Sequence, residues 1–157
     1  MKIHSKLRDN NSLNYKKFNT NMSQFINDNN ITSSTNYLII TSIKNKFTYI
    51  YEKNNNVWNL LFKWSCTVGK PTTPTIKGVF SVGVKYPAIG DNNSSAKYAI
   101  HIIEEYYYHS IIYDATGMHI KDDRLGLAIS HGCIRLYTSS AKWIYDNVPS
   151  GTTIIIN

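Results

Sequence analysis

The sequence predicts a mainly β protein, a β-sandwich or barrel with one short helix near its carboxyl end. Many short segments rich in β-branched and aromatic residues are separated by Asn, Gly and Pro turns, and the chain has no internal repeat. Strands without intervening helices are typical of all-β architectures. At 157 residues, the chain has the size of one domain and can bury a core without disulfide or metal support.

Residues 1–35 depart from the strand pattern. They are rich in Asn, Ser and Lys and show no sustained hydrophobic period. This composition predicts a polar, partly flexible amino-terminal arm, with a short helix at about residues 23–28. The composition changes at Asn36, so we expect the folded domain to occupy residues 36–157.

The strands of the folded part follow from their turn signals. Residues 37–43 and 46–52 are expected to form a hairpin, and three asparagines at 54–56 make the next turn. The remaining predicted strands are, in chain order, 57–68, 77–85, 96–104, 106–113 and 152–156. The Gly, Asn and Ser residues of 87–95 predict a loop that closes over a site.

One helix is expected towards the carboxyl end. Thr138 or Ser139 would cap it, and it would run to about Asn147, because Pro149 and Gly151 cannot continue a helix.

Charge and composition exclude several classes of protein. The net charge of +7 favours acidic partners, but the lysines are dispersed and no nucleic-acid-binding motif is present, so no nucleic-acid partner is predicted. No apolar stretch approaches the roughly 18 residues of a transmembrane helix. Residues 1–35 also lack the apolar core of a signal peptide. The two cysteines, Cys66 and Cys133, form neither a disulfide framework nor a CxxC pair.

The most informative segment is residues 129–136, which read Ile-Ser-His-Gly-Cys-Ile-Arg-Leu. Cysteine reacts as the thiolate, so a nucleophilic thiol needs a nearby base or cation and donors for the developing oxyanion. Gly132 permits close backbone approach, and the N–H groups of Gly132 and Cys133 are candidate oxyanion donors. His131 and Arg135 add polar groups on either side of the thiol. A buried structural cysteine is the alternative for this position.

The segment Ser-His-Gly-Cys-Ile-Arg-Leu closely resembles the nucleophile signature of the L,D-transpeptidase catalytic domain, the YkuD-type family of cell-wall enzymes. The similarity extends over roughly residues 36–157. Further matching pieces lie in the family's order, at 67–70, 73–75, 78–80, 109–110, 125–126, 141–149 and 151–152. The loop at 76–77 carries an extra residue relative to the family pattern.

The resemblance implies roles for individual residues. Cys133 would be the nucleophile and His109 the proton acceptor and donor, with the backbone carbonyl of Ser110 orienting the imidazole. The interval from His109 to Ser130 is longer than is common in the family, which leaves His119 as a second candidate for the base. His101 is expected to be a half-buried strand residue or a wall of the pocket.

The remaining polar residues have both structural and functional interpretations. Arg135 would either pair with a carboxylate to hold the loop, or bind a substrate carboxylate and lower the pKa of the thiol. Ser130 and His131 would shape the nucleophile loop and contribute to substrate binding. Cys66, in an aromatic strand, is expected in the core.

Four histidines and Cys133 leave zinc binding as a rival, although no HExxH, HxH or paired CxxC motif is present. The resemblance implies a cofactor-free and metal-free acyltransferase that cross-links peptidoglycan stem peptides (3→3) through a thioester, and that carbapenem-type β-lactams inhibit covalently. An L,D-carboxypeptidase of the same mechanism and a non-catalytic cell-wall-binding module are the alternatives. Family members act outside the membrane, so an extracytoplasmic, cell-wall location is implied.

Overall fold

The computed structural model describes residues 12–157. The described part is mainly β, as the sequence predicts. Its elements in chain order are α1 (Met22–Asp28), β1 (Tyr37–Ser42), β2 (Phe47–Asn54), β3 (Val57–Ser65), β4 (Val68–Gly69), β5 (Gly78–Ser81), β6 (Lys85–Gly90), β7 (Ser94–Ile103), β8 (Tyr106–Ser110), β9 (Ile112–Asp114), β10 (Ile120–Asp122), β11 (Ala128–Ser130), β12 (Ile134–Leu136), α2 (Thr138–Asn147) and β13 (Thr153–Ile156).

The first sheet has five strands in the order β3-β2-β1-β13-β5. The central strands β1 and β13 run parallel, and both are apolar over most of their length because both faces of this sheet are covered. One face packs against the second sheet and helix α2. The other face packs against residues of the amino-terminal segment.

The second sheet has six strands, in the order β10-β9-β7-β8-β12 with β6 on the other side of β7. The pairing of β12 with β8 is parallel. Strands β8 and β9 pair with β7 in one continuous register that is interrupted at Ile111, so β12 and β10 lie one after the other along the same edge. Arg135 on β12 therefore reaches the Asp122 carboxylate on β10, at 3.2 Å.

A hydrogen bond between two buried hydroxyl groups joins the two sheets. The Tyr108 hydroxyl on β8 lies 2.7 Å from the Thr41 hydroxyl on β1, which in turn lies 2.8 Å from the Thr48 hydroxyl. Tyr108 is completely buried, so an unpaired hydroxyl there would carry the full cost of desolvation. This contact fixes the strand that carries His109 relative to the central sheet.

Helix α2 follows the nucleophile loop, as predicted, but its amino-terminal cap differs from the prediction. The cap residue is Tyr137, and no side chain accepts a hydrogen bond from the first turn. Thr138 does not act as the cap because its hydroxyl instead lies 2.6 Å from the Tyr113 hydroxyl. The expectation that Thr138 or Ser139 caps the helix is therefore wrong.

Two of the predicted strands are shorter than expected. The strand predicted at 57–68 ends at Ser65, because the backbone of Thr67 exchanges two hydrogen bonds with Arg135 and so leaves the first sheet. The strand predicted at 77–85 ends at Ser81. Most of the loop predicted at 87–95 is strand, since β6 passes through Pro87. Proline is tolerated there because β6 is an edge strand.

The amino-terminal segment is folded from residue 12 onwards, which corrects the expectation of a flexible arm for residues 12–35. The predicted short helix is present as α1, and Asn21 caps it by accepting a hydrogen bond from Gln24 N–H at 3.1 Å. The apolar side chains of this segment are buried against β1, β5 and β13; they are Leu13, Phe18, Met22, Phe25, Ile26 and Ile31. The expectation for residues 1–11 lies outside the described residues.

We expect Phe25→Ala to lower the free energy of unfolding by about 3–5 kcal/mol, the usual cost of removing a buried aromatic side chain. Phe25 is fully buried, and its ring centroid lies 5.0 Å from that of Phe18 and 5.3 Å from that of Tyr15. Urea unfolding measures the loss. Asn27→Ala, at an exposed position of the same helix, is the control. A loss below about 1 kcal/mol for Phe25→Ala would show that the segment does not pack as described.

Candidate active site

The parallel pairing of β8 and β12 brings the predicted nucleophile and base onto one face of the sheet. In this register Tyr108 lies opposite Ile134, and His109 lies opposite Arg135. Because side chains alternate along a strand, His109 and Arg135 share a face with Cys133, which directly precedes β12. Cys133 and His109 are thus one strand apart, about 4.8 Å, and two residues apart along the strand, about 6.6 Å. Their side chains therefore extend from the same face of the sheet at neighbouring positions.

A break between β8 and β9 orients the His109 imidazole. The Ser110 hydroxyl donates to the Ile111 carbonyl and accepts from the Lys97 N–H, both at 2.7 Å. These two bonds take the place of regular backbone hydrogen bonds between the strands at the break. The Ser110 carbonyl accepts a hydrogen bond from His109 Nδ1 at 2.7 Å. A carbonyl only accepts, so Nδ1 carries the hydrogen and Nε2 is left as the proton acceptor.

Burial keeps the His109 imidazole neutral. The side chain is only 6% exposed, and desolvation lowers its pKa to about 4. The hydrogen bond to Ser110 acts in the opposite direction, and the nearby Arg135 charge adds to the lowering. At neutral pH the ring is therefore a base, not an imidazolium.

The Cys133 thiol is protonated in the resting site. Its Sγ donates to the Glu105 carbonyl at 3.4 Å. Burial raises the pKa of the thiol and the Glu105 charge adds to this, while the Tyr107 N–H and the Arg135 charge act in the opposite direction. A protonated thiol with a raised pKa requires a base during attack, and the neutral His109 can serve as one.

The nucleophile loop has a conformation that requires glycine at position 132. Gly132 has φ +128°, and a Cβ there would lie 2.9 Å from the Tyr106 ring. Its N–H donates to the Ser130 hydroxyl at 3.1 Å, and that hydroxyl donates to the Cys133 carbonyl at 2.7 Å. Ser130 therefore holds the loop from within. Oxyanion stabilisation by the Gly132 N–H stays a prediction, and it requires this donor to exchange Ser130 for the substrate.

Two threonines that the sequence reasoning did not single out as site residues support the loop from outside. The Thr75 hydroxyl donates to the Gly132 carbonyl at 2.8 Å, and the Thr73 hydroxyl donates to the Ser130 carbonyl at 2.9 Å. Their signal in the sequence is the Thr-Pro-Thr segment at 73–75, where the central proline restricts the backbone between two hydroxyls.

Arg135 pairs with a carboxylate, one of the two roles considered for it. Its guanidinium lies 3.2 Å from Asp122, and its side chain is only 12% exposed. Arg124 holds the same carboxylate through two hydrogen bonds, which keep the pKa of Asp122 well below its ordinary value. The Nε of Arg135 is buried without a hydrogen-bond partner among residues 12–157. Substrate binding by Arg135 stays a prediction.

The other histidines occupy different positions. His119 is 79% exposed and pairs with Asp114 at 3.0 Å in the turn before β10. His101 lies 2.8 Å from the Glu104 carbonyl, and its ring packs next to that of Tyr107. His131 is exposed and lines a cavity of about 500 Å³ that contains Cys133. Of the two candidates for the base, only His109 lies on the β8–β12 pair.

The second cysteine lies in the core, as expected. Cys66 is fully buried, and desolvation raises the pKa of its thiol to about 12. No group of three or more His, Cys, Asp or Glu side chains in residues 12–157 is placed to hold a metal ion.

Comparison with known families agrees with this geometry. The sequence profile of the L,D-transpeptidase catalytic domain, YkuD, matches residues 36–156. The chain belongs to this family.

Relatives of this L,D-transpeptidase family member include YciB of Bacillus subtilis, an L,D-transpeptidase by name. It is 29% identical over 129 residues, which cover 76% of this chain and 64% of YciB. A crystal structure of a fused Zn-dependent amidase/peptidase/peptidoglycan-binding domain-containing protein from Clostridium acetobutylicum superposes with a TM-score of 0.73. The two chains are 37% identical, and the match covers 87% of this chain and 58% of the Clostridium acetobutylicum chain. The chain thus spans less than two thirds of these relatives.

The LD-transpeptidase LdtMt1 in complex with imipenem shares the fold at a TM-score of 0.61 and 24% identity, covering 78% of this chain and 59% of its own. No helix within residues 12–157 is long and apolar enough to cross a membrane.

We expect Arg135→Gln to raise the pKa of the Cys133 thiol, because the guanidinium favours the thiolate. The pH dependence of iodoacetamide alkylation measures this, and the buried Cys66 does not interfere. Arg135→Lys should restore most of the effect. The matched control is Arg124→Gln, which also removes one positive charge, but from the other arginine that pairs with Asp122. Equal alkylation profiles for Arg135→Gln and the wild type would contradict the prediction.

Proposed function

We propose that this family member is a cysteine acyltransferase that joins peptidoglycan stem peptides by 3→3 cross-links through a thioester acyl-enzyme. The observation that carries the proposal is the placement of Cys133 and His109 on one face of a parallel strand pair. The Ser110 carbonyl fixes the imidazole tautomer with Nε2 free to accept a proton. In the proposed mechanism, the thiol, the imidazole and the Ser110 carbonyl would take the three roles of a catalytic triad.

In the acylation step, Cys133 Sγ attacks the carbonyl carbon of the diamino acid at the third stem position, and its proton passes to His109 Nε2. The N–H groups of Cys133 and Gly132 stabilise the oxyanion, where the loss of one donor typically costs about 10²–10³ in rate. The bond to the D-residue at the fourth position then breaks. His109 returns the proton to the leaving amine, and a thioester remains.

In the second step, the side-chain amine of a neighbouring stem attacks the thioester. The amine gives a proton to His109, the new amide bond forms, and the thiolate departs and recovers that proton. One amide is exchanged for another, so the reaction needs no redox partner and no external energy source.

Carbapenem-type β-lactams would acylate the same thiol. The strained lactam amide reacts without the binding energy that a long stem peptide supplies. The imipenem complex of the related LdtMt1 supports this proposal. The substrate places the reaction outside the membrane, at the cell wall, where the net charge of +7 suits an anionic polymer.

Incubation with purified disaccharide-tetrapeptide tests the proposed function directly. We expect mass spectrometry to detect a cross-linked dimer and the released D-residue with the wild-type protein, and neither with Cys133→Ala. The matched control Cys66→Ala should retain activity, because that thiol is fully buried in the core. Release of the D-residue without dimer would instead identify a carboxypeptidase. Turnover by a folded Cys133→Ala variant would disprove the mechanism.

A second experiment assigns the base. We expect His109→Asn to slow acylation by imipenem by about 10²–10⁴, the usual contribution of general acid–base catalysis. Intact-mass spectrometry follows the gain of one drug molecule. Because the pKa of His109 is lowered to about 4, protonation should abolish its function only near that pH. The acylation rate should therefore hold at mildly acidic pH and fall steeply as pH approaches 4.

The matched control is His119→Asn, at the exposed histidine of the β10 turn, which should acylate at nearly the wild-type rate. A greater loss for His119→Asn than for His109→Asn would move the base to His119. A fall in wild-type rate centred near pH 6.5, the ordinary value for histidine, would show that His109 is not the titrating base.

A further inference from the structure

The β7–β8 turn places two adjacent carboxylates at the mouth of the catalytic cavity. Glu104 and Glu105 line this cavity together with Tyr106, His131 and Cys133. The turn is fixed, because the His101 ring bonds the Glu104 carbonyl at 2.8 Å and the Glu105 carbonyl accepts from the Cys133 thiol at 3.4 Å. The backbone of Glu105 is thus in contact with the reacting sulfur, and its carboxylate lines the same cavity.

Neither carboxylate has a cationic partner in the described part of the chain. Both side chains are exposed, and neither forms an ion pair among residues 12–157. The protein has only 10 acidic residues against 17 lysines and arginines. Two adjacent uncompensated acids at the catalytic cavity therefore run against the overall charge of the molecule.

This placement opposes the chemistry of the thiol. The Glu105 charge raises the pKa of Cys133, so it disfavours the thiolate that attacks. The acylation step described above has no role for either carboxylate. Because the Glu105 charge disfavours the thiolate, its position at the cavity is better explained by a ligand that the carboxylate binds.

We propose that Glu105, with Glu104 beside it, binds the side-chain ammonium of the diamino acid whose carbonyl Cys133 attacks. This proposal rests on the proposed function and adds the residues that select the donor substrate. That ammonium ends the long side chain of the residue whose carbonyl reacts with Sγ, so it can reach the adjacent β7–β8 turn, where the Glu105 backbone contacts Sγ. Binding also neutralises the carboxylate that opposes the thiolate.

The test compares single-turnover acylation by two stem tetrapeptides that differ only in their diamino acid. One peptide carries a free side-chain ammonium, and in the other this amine is acetylated. We expect the wild type to acylate about two- to five-fold more slowly with the acetylated peptide, the range of an exposed ion pair. Glu105→Gln and the double variant with Glu104→Gln should lose this preference.

Two controls separate charge selection from general damage. Asp28→Asn removes an exposed carboxylate from α1 and should keep the wild-type preference. Faropenem, a β-lactam without a basic group, should acylate Glu105→Gln at least as fast as the wild type, because the variant removes a charge that opposes the thiolate.

The outcomes are distinct. An equal preference for the ammonium in wild type and Glu105→Gln, or no preference in the wild type, would overturn this inference while leaving the acyltransferase proposal intact. Failure of the wild type to react with faropenem and with both peptides would overturn the proposed function itself.

Discussion

The candidate site depends on the parallel pairing of β8 with β12. Parallel strands cannot be joined by a tight turn, so the chain between Ser110 and Ile134 must make a long return. That return carries β9, β10 and β11. It delivers Asp122 to Arg135 and leads through Ser130 into the nucleophile loop. One register, with His109 opposite Arg135, therefore positions Cys133, His109 and the ion pair between β12 and β10.

Desolvation determines the protonation state of the site. It lowers the pKa of His109 to about 4 and raises that of Cys133, and in each case it is the largest single effect. Both shifts disfavour charge, so the resting pair is a thiol and a neutral imidazole, not a preformed thiolate–imidazolium pair. In the proposed mechanism, proton transfer would then accompany attack. The hydrogen bond from His109 to Ser110 would stabilise the imidazolium formed in that step.

The sequence predicts the local parts of this site better than their supports. The segment around Cys133 identifies the loop because Gly132 and the thiol are adjacent in the chain, and the strands follow from their alternation. The Arg135–Asp122 pair and the hydroxyls of Thr73 and Thr75 act between residues distant in sequence, so no local pattern reveals them. The buried amino-terminal segment has a weak signal. Phe18, Met22, Phe25 and Ile26 have helical spacing, but the surrounding asparagines and lysines obscure it.

Two opposite charges act on the Cys133 sulfur from different directions. Arg135, which lies on β12 and pairs with Asp122, favours the thiolate. Glu105, which lies on the exposed β7–β8 turn, disfavours it. Only the exposed charge is open to neutralisation by a ligand. A cationic group bound at the turn would cancel the effect of Glu105 and leave that of Arg135, so the thiol would become easier to deprotonate when such a group is bound. In the resting protein, desolvation is the main effect that keeps the thiol protonated and less reactive towards electrophiles, and the Glu105 charge adds to it.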